Sequence, residues 1–250
     1  MIPIFYAPPE NVDDDMILLP PEEGHHLKRV MRLGKSEAVI VIDGKGTGYK
    51  GEVDRFEGEA VYCRWFSQIR NFGEPHYYLT LAAGLSTGFK FDEVIQKGTE
   101  LGVSRFIPLL TARSRIRVDD EETSVRKIER WRKIAVASVK QCERGLIPEI
   151  MKPTEFAGLF EKGINRGRTI LFTPGEGGLT VDKIDMETER KRHTTFTLIT
   201  GPESGFSPEE LELAEENGVL VCSLGKRILR TENAGPTAAA IVMYLLGEFK

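Results

Sequence analysis

Three glycine-bearing stretches in the second half of the chain carry residue types that could hold a small molecule. They are "TPGEGG" (173–178), "LITGPESGFSPEE" (198–210) and "LGKRILRTENAG" (224–235). Each leaves the end of an apolar run, where glycine permits φ > 0 or close approach by another group. Ligands of open α/β sheets bind outside the carboxyl ends of the strands. Loops meeting at one sheet edge would therefore form a pocket of backbone N–H and C=O groups. The loops hold neither GxxxxGK[ST] nor GxGxxG, so the polyphosphate and dinucleotide fingerprints fail. A neutral purine nucleoside, read by backbone edges, suits such a pocket better. Each loop alone can also be a plain turn. Ser207, Pro208 and Glu210 need no ligand, since they spell an N-cap, a first-turn proline and a capping box. "GKGTG" (44–48) looks more like a nucleotide loop, but no strand–loop–helix context follows and it reads as a hairpin turn.

The elements that must position these loops divide the chain in two. Residues 1–72 are β-rich: "AVIVIDGKGTGYKGEV" (38–53) is strand, glycine turn and strand, and "DRFEGEAVYCRWF" (54–66) repeats it with Gly58 at the turn. Several short strands with glycine turns suggest a small barrel. "EEGHHLKRVMRLG" (22–34) predicts a short basic helix ending at Gly34, and "QIRNFGEP" (68–75) a linker. Residues 73–250 alternate strand and helix, which predicts a mostly parallel sheet covered on both faces. Strands are expected in "YYLTLAAGL", "RFIPLL", "RTILFTP", "HTTFTLITG" and "VLVCSLG". Helices are expected at "FKFDEVIQKGTELG", about 123–143, from Pro208, and about 233–246.

Composition narrows the class. Of the 250 residues, 40% are hydrophobic and 29% charged, as in ordinary globular proteins. No apolar run reaches the roughly 18 to 20 residues of a membrane span, and the N-terminus lacks a secretory pattern, so a cytoplasmic protein is expected. Cys63, Cys142 and Cys222 are far apart, which argues against a disulfide framework, a zinc site or a cluster. No metal is expected; His25 and His26 lack partners and read as capping or surface groups. The net charge of −4 speaks against nucleic acid, yet basic residues cluster at 28–35, 105–117, 126–133 and 190–192. Local patches make the electrostatic footprint, although each cluster can also be a solvated face.

"LITGPESGFSPEE" followed by "LGKRILRTENA" resembles the RsmE family of SPOUT-class methyltransferases. The resemblance extends over nearly the whole chain. "HHLKRVMRLG" with "DGKGTGYKGEV" is similar to the family's N-terminal PUA-like barrel, and "KFDEVIQKGTELGVSRFIPLLTARS" and "ASVKQCERGLIPEI" to its middle segments. It implies an α/β fold, with a small PUA-like β-barrel for RNA over residues 1–72 and a SPOUT methyltransferase domain over 73–250 that carries a deep trefoil knot. It also implies a homodimer and transfer of a methyl group from S-adenosylmethionine to N3 of a uridine in 16S, the small-subunit ribosomal RNA. The sequence departs from the family at Ser204, where glycine is usual, at Asn233, where threonine is usual, and at Lys140, where an acidic residue is common.

The resemblance points to Thr173, Pro174, Gly175, Thr200, Gly201, Glu203, Gly205, Leu224, Gly225, Ile228 and Leu229 as cofactor contacts. Methylation of uracil N3 displaces a proton and builds charge on the ring carbonyls, which a fixed cation would stabilise. Arg230, in "RILRT", is the catalytic candidate, its bland alternative being a salt bridge to an acidic neighbour. Glu203 would orient the substrate or accept a proton, or else stabilise a helix dipole. Lys28, Arg29, Arg32, Arg113 and Arg115 are the RNA-binding candidates. The rival reading is a non-catalytic RNA-binding module whose α/β half serves for dimerisation.

Overall fold

A computed structural model describes residues 2–114, 121–161, 167–174 and 179–249. The chain forms two compact units. One runs to Glu74 and takes in Val136–Ile147; the other holds Pro75–Ala135 and the chain from Pro148.

The first unit contains β1 (Ile4–Tyr6), β2 (Met16–Leu18), α1 (Pro21–His25), β3 (Ala38–Ile42), β4 (Thr47–Glu57) and β5 (Ala60–Arg70). They make a five-stranded sheet in the order β1-β3-β4-β5-β2, antiparallel except for the β1–β3 pair. Both faces of β3 are apolar, and each finds its own cover. Val39 and Val41 pack with Phe5, Ile17, Leu27, Val53 and Val61, while Ile40 and Ile42 pack with Val139, Phe72 and Ile147. Alternate side chains of a strand point to opposite faces, so a strand reading "AVIVI" needs a second layer. Val136–Ile147 supplies it.

The helix expected at 22–34 is shorter and differently wound. After α1 it continues as a π-helical stretch over His26–Met31 and ends on Arg32, which takes the left-handed conformation (φ 56°) in place of Gly34. The expected linker at 68–75 is mostly not one. β5 runs to Arg70, and the turn beyond it is pinned: Gly145 N–H donates to the Phe72 carbonyl at 2.7 Å. Glu74 accepts from the Leu146 N–H and, buried, from the Arg144 guanidinium at 2.7 Å. Lys140, one of the family departures, donates to Glu23 at 2.5 Å.

The second unit contains β6 (Tyr78–Gly84), α2 (Lys90–Glu100), β7 (Val103–Leu110), α3 (Glu121–Gln141, whose last turns belong to the first unit), β8 (Glu149–Ile150), β9 (Thr154–Glu155), α4 (Gly158–Glu161), β10 (Arg168–Phe172), α5 (Met186–Arg192), β11 (Thr195–Thr200), α6 (Pro208–Glu216), β12 (Leu220–Cys222) and α7 (Thr231–Leu246). The sheet order is β12-β10-β11-β6-β7-β8, with β9 also on β7, and every described pair is parallel. Parallel strands are buried on both faces and read as continuous apolar runs. Ala82, Ile107, Leu171 and Ile199 face Phe156, Phe206 and Val219 on one side. On the other, α7 lies on β6 and β11 and α2 on β7. Close approach there depends on glycine: a Cβ at Gly235 would meet Leu81 at 3.1 Å, and one at Gly98 would meet the Phe106 ring at 2.7 Å. The short β8, β9, α4 and α5 were not anticipated; segments of two to seven residues carry too little periodicity to read.

Candidate active site

The ends of β10, β11 and β12 deliver the three glycine-bearing loops to one pocket of about 100 Å³. Thr173 and Pro174 enter from the first loop, Gly201, Glu203 and Gly205 from the second, and Leu224, Gly225, Ile228 and Leu229 from the third. Gly175 and Arg115 lie outside the described residues. Thr200 does not line the pocket. It is buried at the end of β11, with its hydroxyl unpartnered among the described residues, and a Cβ on Gly235 would sit 3.5 Å away from that oxygen. Phe172, Pro202, Phe206, Arg227, Thr231 and Ala234 also line the pocket and were missed. They lie in or beside the three loops in sequence, but nothing in residue type separates an apolar wall such as Phe172 or Phe206 from core.

The second loop is held from two directions. Gly205 N–H donates to the Pro202 carbonyl at 3.0 Å, closing a tight turn, and Gly205 takes φ +68°. Ser207 caps α6, and the Glu210 carboxylate completes the capping box by accepting from Ser207 N–H at 2.8 Å. The other Glu210 oxygen accepts from Ala112 N–H, also at 2.8 Å, and so ties in the loop after β7. Ser204 strengthens the same tie: its hydroxyl donates to the Arg113 carbonyl at 2.6 Å, and Arg113 donates back to the Ser204 carbonyl at 3.4 Å. Serine is tolerated at this departure because φ is not positive there. Asn233 likewise has a partner, accepting from Lys97 at 3.3 Å.

Charge is arranged around the rim. Glu203 is ion-paired with Lys90, at the start of α2. Arg230 stands between two lining residues, yet its own side chain is 83% exposed, with Glu232 3.9 Å from its guanidinium. The Ser207 hydroxyl, followed by the backbone, holds the Glu209 carboxyl below its ordinary value. Burial pushes the Cys222 thiol, on β12, up to about 12.

In the first unit Arg29 and Arg32 are exposed at the end of the π-helical stretch. Lys28 is folded onto its own unit: it donates to the Gly58 carbonyl at 2.5 Å, lies 3.8 Å from Glu59 and sits over the Phe56 ring. Arg113 is exposed on the loop after β7.

The pocket's character fits a nucleoside-like cofactor. Gly205 and Gly225 hold left-handed backbone and have open space where a Cβ would stand, so a bound molecule can approach the main chain. The walls are mostly apolar, and Arg227 is the only basic residue lining it among those described. A polyphosphate would want more.

The chain thus combines a β-rich unit with a parallel α/β unit whose strand-end loops close on one pocket, the layout of a two-domain α/β protein with a ligand site at the carboxyl ends of its strands. Comparison with known proteins makes the class specific. The RNA methyltransferase domain model matches residues 74–243, and the PUA domain model of RNA methyltransferases matches residues 19–61. The chain is 32% identical to the ribosomal RNA small subunit methyltransferase E of Bacillus subtilis, over 89% of this chain and 88% of that one. A methyltransferase from Legionella pneumophila, solved with its cofactor SAM bound, superposes with TM-score 0.84 at 29% identity and covers 98% of both chains. The ribosomal RNA small subunit methyltransferase E of Neisseria gonorrhoeae, bound to S-adenosyl methionine, gives 0.85 at 25% identity over the full length of both. The chain belongs to the RNA methyltransferase family, in its ribosomal RNA small subunit methyltransferase E group. Its fold is the PUA-like unit followed by the parallel-sheet methyltransferase unit.

Proposed function

We propose that this protein transfers a methyl group from S-adenosylmethionine to N3 of a uridine in 16S ribosomal RNA, acting as a cytoplasmic homodimer whose C-terminal unit carries the trefoil knot. The observation that carries the reading is the convergence of three loops on one apolar, backbone-lined pocket in a chain of this family. Bound there, the cofactor supplies an electrophilic methyl group on a sulfonium. The chain's task is then positioning, which can contribute about 7–11 kcal/mol to such a displacement.

Thr173, Pro174, Gly175, Gly201, Gly205, Leu224, Gly225, Ile228 and Leu229 would hold the cofactor, largely through main-chain groups, with Thr200 beside Gly201 at the end of β11. Loss of the N3 proton leaves charge on the uracil carbonyls. Arg230 is available to meet it, because its side chain is exposed and its contact with Glu232 is long. Arg29 and Arg32, together with Arg113 and Arg115, would contact phosphates; Lys28 would have to leave its present partners to join them. The sheet order and the seating of α7 on β6 and β11 support the knotted arrangement.

The test uses small ribosomal subunits from a strain deleted for this protein. They are incubated with the protein and S-adenosylmethionine, and the digested RNA is searched for N3-methyluridine by mass spectrometry. Its appearance is the expected result. Cofactor binding without that product would move the reading to another RNA or base, and absence of both would favour the RNA-binding module.

A further inference from the structure

A second cavity, of about 130 Å³, adjoins the first. It is lined by Leu85, Ser86 and Thr87, which follow β6, and by Pro202, Glu203 and Ser204 from the loop after β11. Pro202 and Glu203 line both cavities. Ser86 is 6% exposed, and its hydroxyl has no hydrogen-bond partner among the described residues. A buried hydroxyl left unpaired is costly, and this one lies in the wall of a cavity, where a molecule entering could pair with it. None of the sequence motifs had singled out this serine.

We propose that this cavity receives the target base, with Ser86 as the residue that selects a uracil; the inference rests on the methyl-transfer reading above. An in-line displacement needs donor and acceptor next to one another, and two cavities that share Pro202 and Glu203 in their walls are neighbours in that sense. Enzymes that act on a base take it out of the stack and read its Watson–Crick edge in a small pocket. Uracil offers carbonyl oxygens on either side of an N3–H. The Ser86 hydroxyl donates to a carbonyl, and the Glu203 carboxylate in the shared wall, one oxygen of which is held by Lys90, accepts from N3–H through its other oxygen. Cytosine presents a bare N3 lone pair to that carboxylate, and repulsion disfavours it. In the reaction N3 yields its proton to Glu203 and its electron pair to the methyl carbon. The C–S pair returns to sulfur, and the proton later passes to water. Two residues beyond Thr87 in the chain, Phe89 is 68% exposed with the Arg130 guanidinium 4.3 Å from its ring centre, an aromatic and cationic surface of the kind on which a neighbouring base stacks.

Ser86→Ala and Ser86→Val are assayed on small subunits from the deletion strain, alongside calorimetric titration with S-adenosylmethionine. The expected result is a fall in kcat/KM for the RNA of about tenfold in Ser86→Ala and a larger fall in Ser86→Val, with cofactor Kd unchanged within about twofold. Saturation-transfer NMR with uridine 5′-monophosphate on the S-adenosylhomocysteine complex gives a readout without turnover: signal in the wild type, lost in Ser86→Val. Wild-type kcat/KM in both variants would overturn the proposal while N3-methyluridine formation upheld the function. Cofactor Kd rising in parallel would overturn it by placing Ser86 in the cofactor site. Absence of product from the wild-type protein would remove the proposal together with the reading beneath it.

Discussion

Gly84, the last residue of β6, lies directly beneath Pro202. A Cβ on Gly84 would stand 2.2 Å from the proline nitrogen and 2.6 Å from the Gly201 carbonyl carbon. These are backbone atoms, so the loop after β11 can approach the β6 end only because residue 84 has no side chain. The seat of the loop after β11 is set by a glycine on a strand whose own loop contributes to the neighbouring cavity.

Gly84→Ala should therefore push the Gly201–Gly205 loop outward. The expected outcome is a loss of about 1–3 kcal/mol in stability from overpacking and a fall in S-adenosylmethionine affinity of about tenfold or more. Chemical denaturation and calorimetric titration check the two effects separately.

Gly201→Val acts on the loop itself. A Cβ there already meets the Phe206 ring at 3.1 Å and the Gly205 Cα at 3.3 Å, and valine adds bulk beyond it. Cofactor binding should be abolished while the far-ultraviolet circular dichroism stays that of the native protein. Wild-type affinity would remove this loop from the site.

Glu210→Ala removes two buried acceptors at once, the reciprocal cap of α6 and the partner of Ala112 N–H. A cap is worth about 1 kcal/mol, and the hydrogen bond to the exposed Ala112 about 0.5–1.5 kcal/mol. A loss of about 1.5–2.5 kcal/mol is expected from these two contributions, read as a lower urea midpoint with an unchanged m-value.

Burial raises the thiols of Cys63 and Cys222 from an ordinary value of 9.0 to about 12, with Asp54 a secondary cause for Cys63. A raised folded-state pKa means that the contribution to stability is fully present below pH 9.0 and is lost as the pH climbs toward about 12. At pH 8 neither thiol should react with iodoacetamide in the folded protein, whereas both should in denaturant. Mass mapping of the alkylated peptides tests this.

Charge reversal at Arg29 and Arg32 tests the proposed RNA face. Each lost phosphate contact should lower the salt slope by about 0.9 for duplex or about 0.7 for single strand, with S-adenosylmethionine affinity unchanged. Filter binding across a salt series would show it, and an unchanged slope would return both residues to the solvent.

Much of this protein was legible in its residues. The parallel sheet follows from apolar runs bounded by glycine loops, the start of α6 from Ser207, Pro208 and Glu210, and the pocket loops from where those runs stop. Local sequence determines such features because capping, alternation and glycine's freedom at φ > 0 each act within a few residues. The tertiary structure alone decided the rest. It put Gly84 under Pro202, joined Ser204 to Arg113 and Lys140 to Glu23, covered the second face of β3 with Val136–Ile147, and left the Ser86 hydroxyl buried without a partner. All but the last of these relationships join residues far apart in the chain, and the last depends on the same distant packing. Contacts of that kind depend on which strands become neighbours, and strand order is fixed by the packing of the whole sheet, which no local window of sequence contains.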